Sequence, residues 1–363
     1  MFIYAVLEIL FFISAFSYTI YLLSFVNTLF FKESNTTETR FSVSVLICAK
    51  NEAKNLKLFL PSILNQDYPN FEVILINDQS TDETALVLED FQNKYSNLKV
   101  FSTTGQSHKK NALQLAKLKA KGEVFVQTDA DCKVASKKWL SLMCSKIDKN
   151  HEIVLGYGPN YLKNGFLNSL QNFETLTTAL QYFTAALGKS PYMGVGRNMA
   201  YTRKLNNSIE FSPTENKLLS GDDDLFIQHA KSKTQFSIQI NPSSFAYSKS
   251  EDSLIKWYNQ KRRHITTSTF YSLKDKVILT GIFLMKLYFW LYVFSFLFVN
   301  TTKLNLWLVF AVSSVSIIIY AIAYKKFKTG KTWLISPILD FCLICFQFSL
   351  YISNLVAPYQ KWK

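Results

Sequence analysis

Two aspartates at the end of a short apolar segment are candidates for holding a metal ion. Asp129 and Asp131 follow residues 123–128 (EVFVQT), whose composition predicts a buried β-strand. Two carboxylates placed two residues apart at a strand end can both reach one hard divalent cation. Mg²⁺ and Mn²⁺ prefer such oxygen ligands and commonly share them with phosphate oxygens. Because paired aspartates are also common in solvated loops, this pattern alone indicates a metal site only weakly.

Another acidic residue follows a second apolar segment. Asp78 comes directly after residues 71–77 (FEVILIN). The next polar residues have an ordinary explanation, since Ser80 or Thr81 can cap a following helix and Asp82 favours its dipole. Capping leaves Asp78 unexplained, so this residue is a candidate for ligand binding.

Three consecutive aspartates, Asp222 to Asp224, precede Leu225. The N-terminus of a helix stabilises acidic residues, which accounts for part of this triplet. Carboxylates this close also raise the pKa of one another, and a raised pKa suits a general base. The triplet therefore predicts proton transfer at the start of a helix.

An alternation of strands and helices must position these side chains. Strands are predicted at residues 41–49, 71–77, 98–102 and 123–128, and helices at residues 81–94 and 109–119. This alternation predicts an α/β fold with a mostly parallel sheet covered by helices on both faces. Ligands of such sheets bind beyond the carboxyl ends of the strands, where Glu52, Asp78 and Asp129 fall.

The composition of the 363 residues restricts the class of protein. Hydrophobic residues make up 48% of the chain and aromatic residues 15%, which excludes disordered and collagen-like proteins. The net charge of +14 suits nucleic acid, an anionic membrane or a phosphorylated substrate equally well. The cysteines outside the apolar C-terminal region have no metal-site spacing, so we expect a reducing compartment and no disulfide framework.

Four apolar segments are long enough to cross a bilayer. They lie at residues 2–31, 277–299, 304–324 and 333–356. The loop between the last two carries Lys325, Lys326, Lys328 and Lys331, and the positive-inside rule places such a loop in the cytoplasm. Residues 32–276 are then cytoplasmic, and the N-terminus lies outside.

Two charged residues fall within the three C-terminal segments. Lys286 lies near the inner end of its span, from which its side chain can reach the membrane interface. Asp340 is open to two interpretations. An acidic residue inside a span is by default a functional-site hypothesis, and a carboxyl bonded to a neighbouring helix is the alternative.

The predicted organisation has five parts. They are an N-terminal transmembrane helix (1–31), a polar linker (32–40), a cytoplasmic α/β domain (41–250), a membrane-interface helix (251–276), and three transmembrane helices with a tail (277–363). The interface helix is predicted because apolar residues such as Leu254 and Trp257 accompany the basic residues of 256–263.

Seven segments of the chain form an ordered set. They are CAKNE (48–52), INDQSTDET (76–84), HKKNAL (108–113), TDADC (128–132), GVGRNMAY (194–201), GDDDLF (221–226) and QKRRH (260–264). Over residues 41–268 this set resembles the membrane-bound family 2 glycosyltransferases. The resemblance implies the nucleotide-sugar-binding A-type glycosyltransferase fold, in agreement with the alternating strands and helices.

The resemblance also implies roles for individual residues. Those implied in nucleotide-sugar binding are Glu52, Asp78, Lys109, Asp129, Gln260 and Arg263, with Lys109 near the diphosphate. Those implied in holding Mn²⁺ or Mg²⁺ are Asp129 and Asp131, with Asp131 as the direct ligand. Those implied in acceptor binding are Gly196, Asn198 and His264, and the implied base is Asp222 or Asp223.

The chain departs from the family pattern in two motifs. The family usually has Glu-Asp-x-Asp-Leu where this chain begins with Gly221, so alignment on Leu225 gives the base as Asp222 and leaves Asp223 as an alternative. The family's QxxRW motif ends here in His264. Its Trp is associated with chain-extending synthases, so the replacement favours the transfer of single sugars.

The expected activity is the inverting, metal-dependent transfer of a sugar from a UDP- or GDP-sugar to a hydroxyl of a lipid or envelope glycan. A processive polysaccharide synthase and a non-catalytic nucleotide-sugar-binding scaffold are the alternatives. Nucleic acid is not an expected partner, because no recognised nucleic-acid-binding motif occurs. We expect a multi-pass protein of the bacterial inner membrane with its catalytic domain in the cytoplasm.

The basic loop makes this topology testable. A reporter fused after Lys331 should report the cytoplasmic side, because four lysines hold that loop inside. A second fusion within residues 32–40 should report the same side. If both fusions report the outer face, the topology is inverted and cytoplasmic nucleotide sugars cannot reach the site.

Overall fold

The chain forms an α/β unit and a separate helical unit in the computed structural model, which describes residues 2–32, 41–105, 108–216, 221–296 and 302–356. The α/β unit comprises Lys32–Tyr161 and Ala185–Glu251, and the helical unit comprises Met1–Phe31, Leu162–Thr184 and Asp252–Gln360.

The strands build one large sheet and one small sheet. Their bounds are β1 (Val43–Ala49), β2 (Phe71–Asn77), β3 (Leu98–Ser102), β4 (Val124–Gln127), β5 (Lys133–Val134), β6 (Ile153–Gly156), β7 (Met199–Thr202), β8 (Phe236–Gln239) and β9 (Ala246–Tyr247). The large sheet has the order β3-β2-β1-β4-β7-β6-β8, and β5 pairs with β9. Strands β1 to β4 pair in parallel, whereas β7 is antiparallel to both of its neighbours.

The helices fall in both units. Their bounds are α1 (Phe2–Ser24), α2 (Val26–Leu29), α3 (Ala53–Leu64), α4 (Thr84–Lys94), α5 (Lys109–Lys119), α6 (Trp139–Cys144), α7 (Phe166–Leu187), α8 (Arg203–Asn207), α9 (Pro213–Asn216), α10 (Asp222–Ala230), α11 (Leu254–Ile265), α12 (Leu273–Ser295), α13 (Lys303–Phe327) and α14 (Ser336–Val356). Parallel strands need crossover connections, and α3, α4 and α5 provide those between β1, β2, β3 and β4.

The strands form where branched apolar residues are buried on both faces of the sheet. Val45, Ile47, Val73 and Val126 are fully buried and belong to one core with residues of α3, α4 and α6. Burial on both faces explains why these strands are continuous apolar runs rather than alternating ones. The predicted fold class is confirmed, and α5 begins and ends at the predicted residues.

The register of the sheet brings the polar segments to one edge. Ala49, the last residue of β1, pairs with Asn77 of β2, which in turn pairs with Ser102 of β3. β4 pairs with β1 up to Leu46 and Gln127. The segments that follow β1, β2 and β4 therefore leave the sheet on the same side.

Among its described residues, the helical unit contains four helices that are long and apolar enough to cross a membrane. They are Tyr4–Leu29, Leu273–Ser295, Lys303–Phe327 and Thr332–Val356. Each coincides with one of the four predicted segments within a few residues. Their sidedness stays a prediction.

Residues 162–184 pack within the helical unit, although the sequence pattern assigns them to the α/β domain. The Phe173 ring of α7 lies 4.7 Å from the Tyr320 ring of α13, measured between centroids. The Thr177 hydroxyl lies 2.9 Å from the Tyr320 hydroxyl. Helical periodicity shows that α7 has an apolar face, but it does not show which element covers that face.

Lys286 and Asp340 form a buried ion pair in the helical unit, so the prediction that Lys286 reaches the membrane interface is wrong. The Asp340 carboxylate also accepts hydrogen bonds from the Tyr18 hydroxyl at 2.5 Å and from the Trp290 indole N–H at 2.8 Å. These contacts join α1, α12 and α14. They match the interpretation of Asp340 as a carboxyl bonded to neighbouring helices.

We expect the substitution Asp340→Leu to destabilise the protein by about 3–5 kcal/mol, because it leaves the Lys286 ammonium buried without its partner. Thermal unfolding of the detergent-solubilised full-length chain measures the loss. The double variant Lys286→Met, Asp340→Leu should recover most of it. Equal losses in the single and double variants would show that the charge pair is not the cause.

Candidate functional site

The candidate site is built from the ends of β1, β2 and β4 and the first turns of α5 and α10. The half-buried Cys48 thiol of β1 lies within electrostatic reach of Asp78, Lys109, Asp129 and Asp222. Burial, the largest influence, raises the pKa of this thiol to about 12, so Cys48 is a packing residue and not a nucleophile. The structure therefore brings four of the predicted site residues around one point.

Asp129 and Asp131 form a potential metal-binding pair. Ligand atoms of these two residues and of Cys132 all lie within 4.8 Å of one another. Burial raises the pKa of the Asp131 carboxyl and the Asp129 charge adds to this, while Arg197 and Lys109 oppose it. Two carboxylates that are costly to ionise together fit a hard divalent cation.

Lys109 links the metal-binding pair to the acidic triplet. Its ammonium lies 2.6 Å from the Asp129 carboxylate. Burial lowers the pKa of Lys109, but the Asp129 and Asp223 charges outweigh burial and raise it overall. Lys109 therefore stays protonated, as its predicted role near a diphosphate requires.

Gly221 explains one departure from the family pattern. It is the residue before α10 and has a backbone φ of +89°, in the left-handed region. Glycine adopts this conformation without the steric cost that a side chain would bring. The turn at Gly221 directs Asp222, the first residue of α10, into the site.

Asp222 and Asp223 have different surroundings. The Asp223 carboxylate accepts the backbone N–H of Gly196 at 2.7 Å and that of Asp224 at 3.0 Å, so both of its oxygens are bonded. The Asp222 Oδ1 accepts no hydrogen bond from any residue that the structure describes. Burial raises the pKa of Asp222, and the charges of Lys109 and Lys110 oppose this. Asp222 thus has the freer carboxylate.

Gly196 is buried against the acidic triplet. A Cβ at this position would stand 2.9 Å from the Gln127 amide nitrogen and 3.1 Å from the Asp223 carboxylate. The absence of a side chain lets the Gly196 N–H reach Asp223. Its predicted contact with an acceptor stays a prediction.

Asn198 is fully buried, and this placement argues against the predicted contact with an acceptor. Its amide donates hydrogen bonds to the Tyr157 carbonyl at 2.8 Å and the Ser244 carbonyl at 2.9 Å. Its carbonyl oxygen accepts the Trp139 indole N–H at 2.9 Å. All these bonds hold the protein interior together.

Asp78 and Glu52 follow neighbouring strands, as predicted for the residues that bind the nucleotide. The buried Asp78 carboxylate accepts the Thr103 hydroxyl at 2.6 Å. Glu52 precedes α3 and accepts the Asn55 amide at 2.6 Å. Glu52, but not Asp78, lines a cleft whose wall consists of Asn51, Glu52, Ala53, Lys54, Asn55, Asp82, Glu83 and Lys249.

Neither Ser80 nor Thr81 caps α4, so that part of the capping hypothesis is wrong. Asp82 accepts the N–H of Thr84, the first residue of α4, at 3.0 Å. The Ser80 hydroxyl instead accepts the Asn51 N–H at 3.0 Å. These polar residues connect the loops after β1 and β2, and so they shape the edge where Asp78 lies.

Gln260, Arg263 and His264 lie on α11 in the helical unit. On this helix the Trp257 ring stacks on Phe346 of α14, with 4.0 Å between centroids. Lys261, which belongs to the QKRRH motif (260–264), forms an ion pair with Glu174 at 2.6 Å. The motif therefore anchors α11 within its own unit, and the predicted roles of Gln260, Arg263 and His264 stay predictions.

The sequence patterns did not identify two basic residues, Arg197 and Lys110, as residues of the site. Arg197 acts on Asp131 electrostatically, and its guanidinium donates to the Ser248 hydroxyl at 2.8 Å. Lys110 lies 4.0 Å from Asp222. Both stand beside residues that the motifs do identify, but the sequence does not say which way their side chains point.

Comparisons with known proteins show which sequences and folds this chain is similar to. Residues 44–209 match the model of the family described as Glycosyl transferase family 2. A protein of Haemophilus influenzae named "uncharacterized glycosyltransferase" is 29% identical over 151 residues, which are 42% of this chain and 44% of that protein. A beta-monoglucosyldiacylglycerol synthase of Nostoc sp. is 37% identical over 98 residues, 26% of this chain and 21% of that protein. The similarity thus spans less than half the length of either relative.

One solved structure resembles nearly the whole chain. It is the mannosyltransferase PcManGT from Pyrobaculum calidifontis in complex with GDP-Man and Mn²⁺, with a TM-score of 0.61 and 17% identity over 97% of both chains. At this identity the likeness concerns the fold. The architecture that the motifs imply is therefore confirmed.

Proposed function

We propose that this chain, whose residues 44–209 match the model of Glycosyl transferase family 2, transfers a sugar from a nucleotide sugar to an acceptor hydroxyl with inversion at the anomeric carbon. The observation that carries the proposal is the Lys109 ammonium, which lies 2.6 Å from the Asp129 carboxylate and within electrostatic reach of Asp222 and Asp223. A site for a diphosphate and a candidate base thereby face one another at the end of one sheet.

The donor occupies the edge of the sheet in this proposal. Glu52 and Asp78 contact the nucleotide, and the Lys109 ammonium pairs with diphosphate oxygens. The oxygen ligands of Asp129 and Asp131 fit Mn²⁺ or Mg²⁺. When bound, such a cation offsets the negative charge that develops on the leaving diphosphate. The presence of GDP-Man and Mn²⁺ in the PcManGT structure supports this assignment.

Asp222 removes the proton from the acceptor hydroxyl. As that proton moves to the Asp222 carboxylate, the hydroxyl oxygen attacks the anomeric carbon, and the bond to the diphosphate oxygen breaks on the opposite face. A general base of this kind needs an ionised oxygen within reach of the hydroxyl. The unbonded Asp222 Oδ1 supports its assignment over Asp223, whose oxygens are both held by backbone N–H groups.

The acceptor in this proposal is a lipid or envelope glycan, reached from the cytoplasmic side of a membrane that the four apolar helices cross. The similarity to a beta-monoglucosyldiacylglycerol synthase supports a lipid. His264 in place of Trp supports the transfer of single sugars. A non-catalytic scaffold would be favoured if the aspartate pair were broken or the base were missing. This chain retains the aspartate pair and a candidate base.

A donor screen tests the proposed function and its metal requirement together. Purified full-length protein with Mn²⁺ and a membrane lipid extract should release nucleotide from one or more UDP- or GDP-sugars. Excess chelator should abolish the release, and so should Asp131→Ala, because the cation then loses its direct ligand. Unchanged release in chelator would contradict the metal assignment, and no release from any donor would contradict the activity.

The substitutions Asp222→Asn and Asp223→Asn separate the base from its neighbour. Asp222→Asn should lower the transfer rate by about a hundredfold or more, since the amide cannot accept the proton. Donor KM should change little. Asp223→Asn should have the milder effect, since its amide oxygen still accepts one backbone N–H. The reverse order would make Asp223 the base.

The pH dependence gives a further check on Asp222. The rate should fall as the pH decreases through the pKa of the base, because protonated carboxyl cannot accept the acceptor's proton. Burial raises the pKa of Asp222, so this acid limb should lie above the ordinary aspartate value of about 3.9. An acid limb at or below that value would contradict the assignment.

A further inference from the structure

Lys110 is a buried lysine beside the proposed base. Only 7% of its side chain is exposed. Its ammonium donates a hydrogen bond to the Glu215 carbonyl at 2.6 Å and lies 5.1 Å from the centroid of the Phe211 ring. The same ammonium stands 4.0 Å from the Asp222 Oδ1. A buried ammonium needs such partners, because desolvation penalises its charge.

The contacts of Lys110 connect α5 to the segment that precedes α10. Glu215, whose carbonyl Lys110 holds, is itself fixed by its side chain. Its carboxylate accepts the Ser212 N–H at 2.7 Å and lies 2.9 Å from the His229 imidazole of α10. Lys110 is therefore anchored on a residue that its own side-chain contacts hold in place beside Asp222.

Several other titratable groups face Asp222. Lys109 and Lys117 approach from α5, Asp223 lies on the same helix, and Cys48 and Tyr201 approach from β1 and β7. Lys109 is engaged by Asp129 at 2.6 Å. The Lys117 ammonium lies 5.3 Å from the Tyr201 ring and 5.2 Å from the Phe226 ring. Among the described residues, Lys110 is the cation that forms an ion pair with Asp222.

We propose that Lys110 is a positioning residue for the reaction, which holds the Asp222 carboxylate ionised and oriented toward the acceptor while staying anchored on the Glu215 carbonyl. A positive charge within about 4–6 Å favours the ionised form of a carboxyl. Asp222 is then a competent base at neutral pH despite its burial. The proposal rests on the proposed function, because it assigns Lys110 a role in the same transfer.

Removal of the Lys110 charge should move the acid limb of the pH–rate profile upward. In Lys110→Met the midpoint should rise by about one to two pH units, the scale that one close charge imposes on a carboxyl. At pH values well above the new midpoint kcat should recover, and donor KM should be unchanged. Lys110→Arg keeps the charge and should keep the midpoint near that of the wild type.

Lys119→Met is the matched control. It removes the same charge from the same helix, but the Lys119 ammonium lies over the Phe101 ring of β3, 5.3 Å from its centroid, and not beside Asp222. Its pH–rate profile should match that of the wild type. Thermal unfolding of each full-length variant identifies any variant that is misfolded. If Lys110→Met does not fold, the pH–rate profile of Lys110→Arg is compared with that of the wild type instead.

A second measurement does not depend on turnover. Carbodiimides react with protonated carboxyl groups, so the pH dependence of Asp222 labelling, read by peptide mass spectrometry, reports its pKa directly. The labelling midpoint should rise in Lys110→Met and stay unchanged in Lys119→Met.

The two measurements distinguish the possible failures. Unshifted labelling in Lys110→Met overturns the role of Lys110, even if the wild type transfers sugar. Shifted labelling with an unshifted pH–rate profile overturns Asp222 as the base and, with it, the role of Lys110 in the reaction. Shifted labelling in a protein that uses no donor confirms the electrostatic contact and overturns the proposed function.

Discussion

The mutual repulsion of carboxylates at one edge of the sheet is the constraint on which the site depends. The residues concerned are Asp129, Asp131, Asp222 and Asp223. Asp129 and Asp131 follow the end of β4, and Asp222 and Asp223 begin α10. The edge tolerates them because α5 begins with two lysines, one 2.6 Å from Asp129 and one 4.0 Å from Asp222. Without these cations the fold would bury charges that it could not compensate.

The backbone that creates this edge was predictable because its causes are local. The strands around Val45, Val73 and Val126 are branched apolar runs buried on both faces, and the helices between them have clear apolar faces. The edge itself follows from the parallel arrangement of the strands. The predicted residues Asp78, Lys109 and Asp129 therefore meet, since each directly follows a strand or begins a helix. Asn198 differs, because the motif that contains it does not reveal whether its amide faces solvent or the Trp139 indole.

The errors in the sequence predictions concern partners that are distant along the chain. Lys286 was expected to reach the membrane interface because the sequence shows only its depth in a span. The structure pairs Lys286 with Asp340, which lies 54 residues further along the chain. The position of α7 has the same origin, since its apolar face is evident from the sequence but the Tyr320 ring that covers it is not. Local patterns determine which residues are buried, and the tertiary fold determines what they are buried against.

Asp222 and Asp223 of the acidic triplet differ in how much of their hydrogen-bonding capacity the fold uses. Asp223 has its oxygens bonded by backbone N–H groups, so it stabilises the turn and has little capacity left to accept a proton. Asp222 has a buried Oδ1 that accepts no hydrogen bond from the described residues, which costs about 1–3 kcal/mol relative to a satisfied group. Because its folded pKa is raised, this cost is present at neutral pH and is relieved as the pH falls through that pKa. A residue that only stabilised the fold would gain from a bonding partner here. A base needs the opposite, an ionised oxygen left unbonded until the acceptor hydroxyl arrives, and the position of Asp222 meets that requirement at the expense of stability.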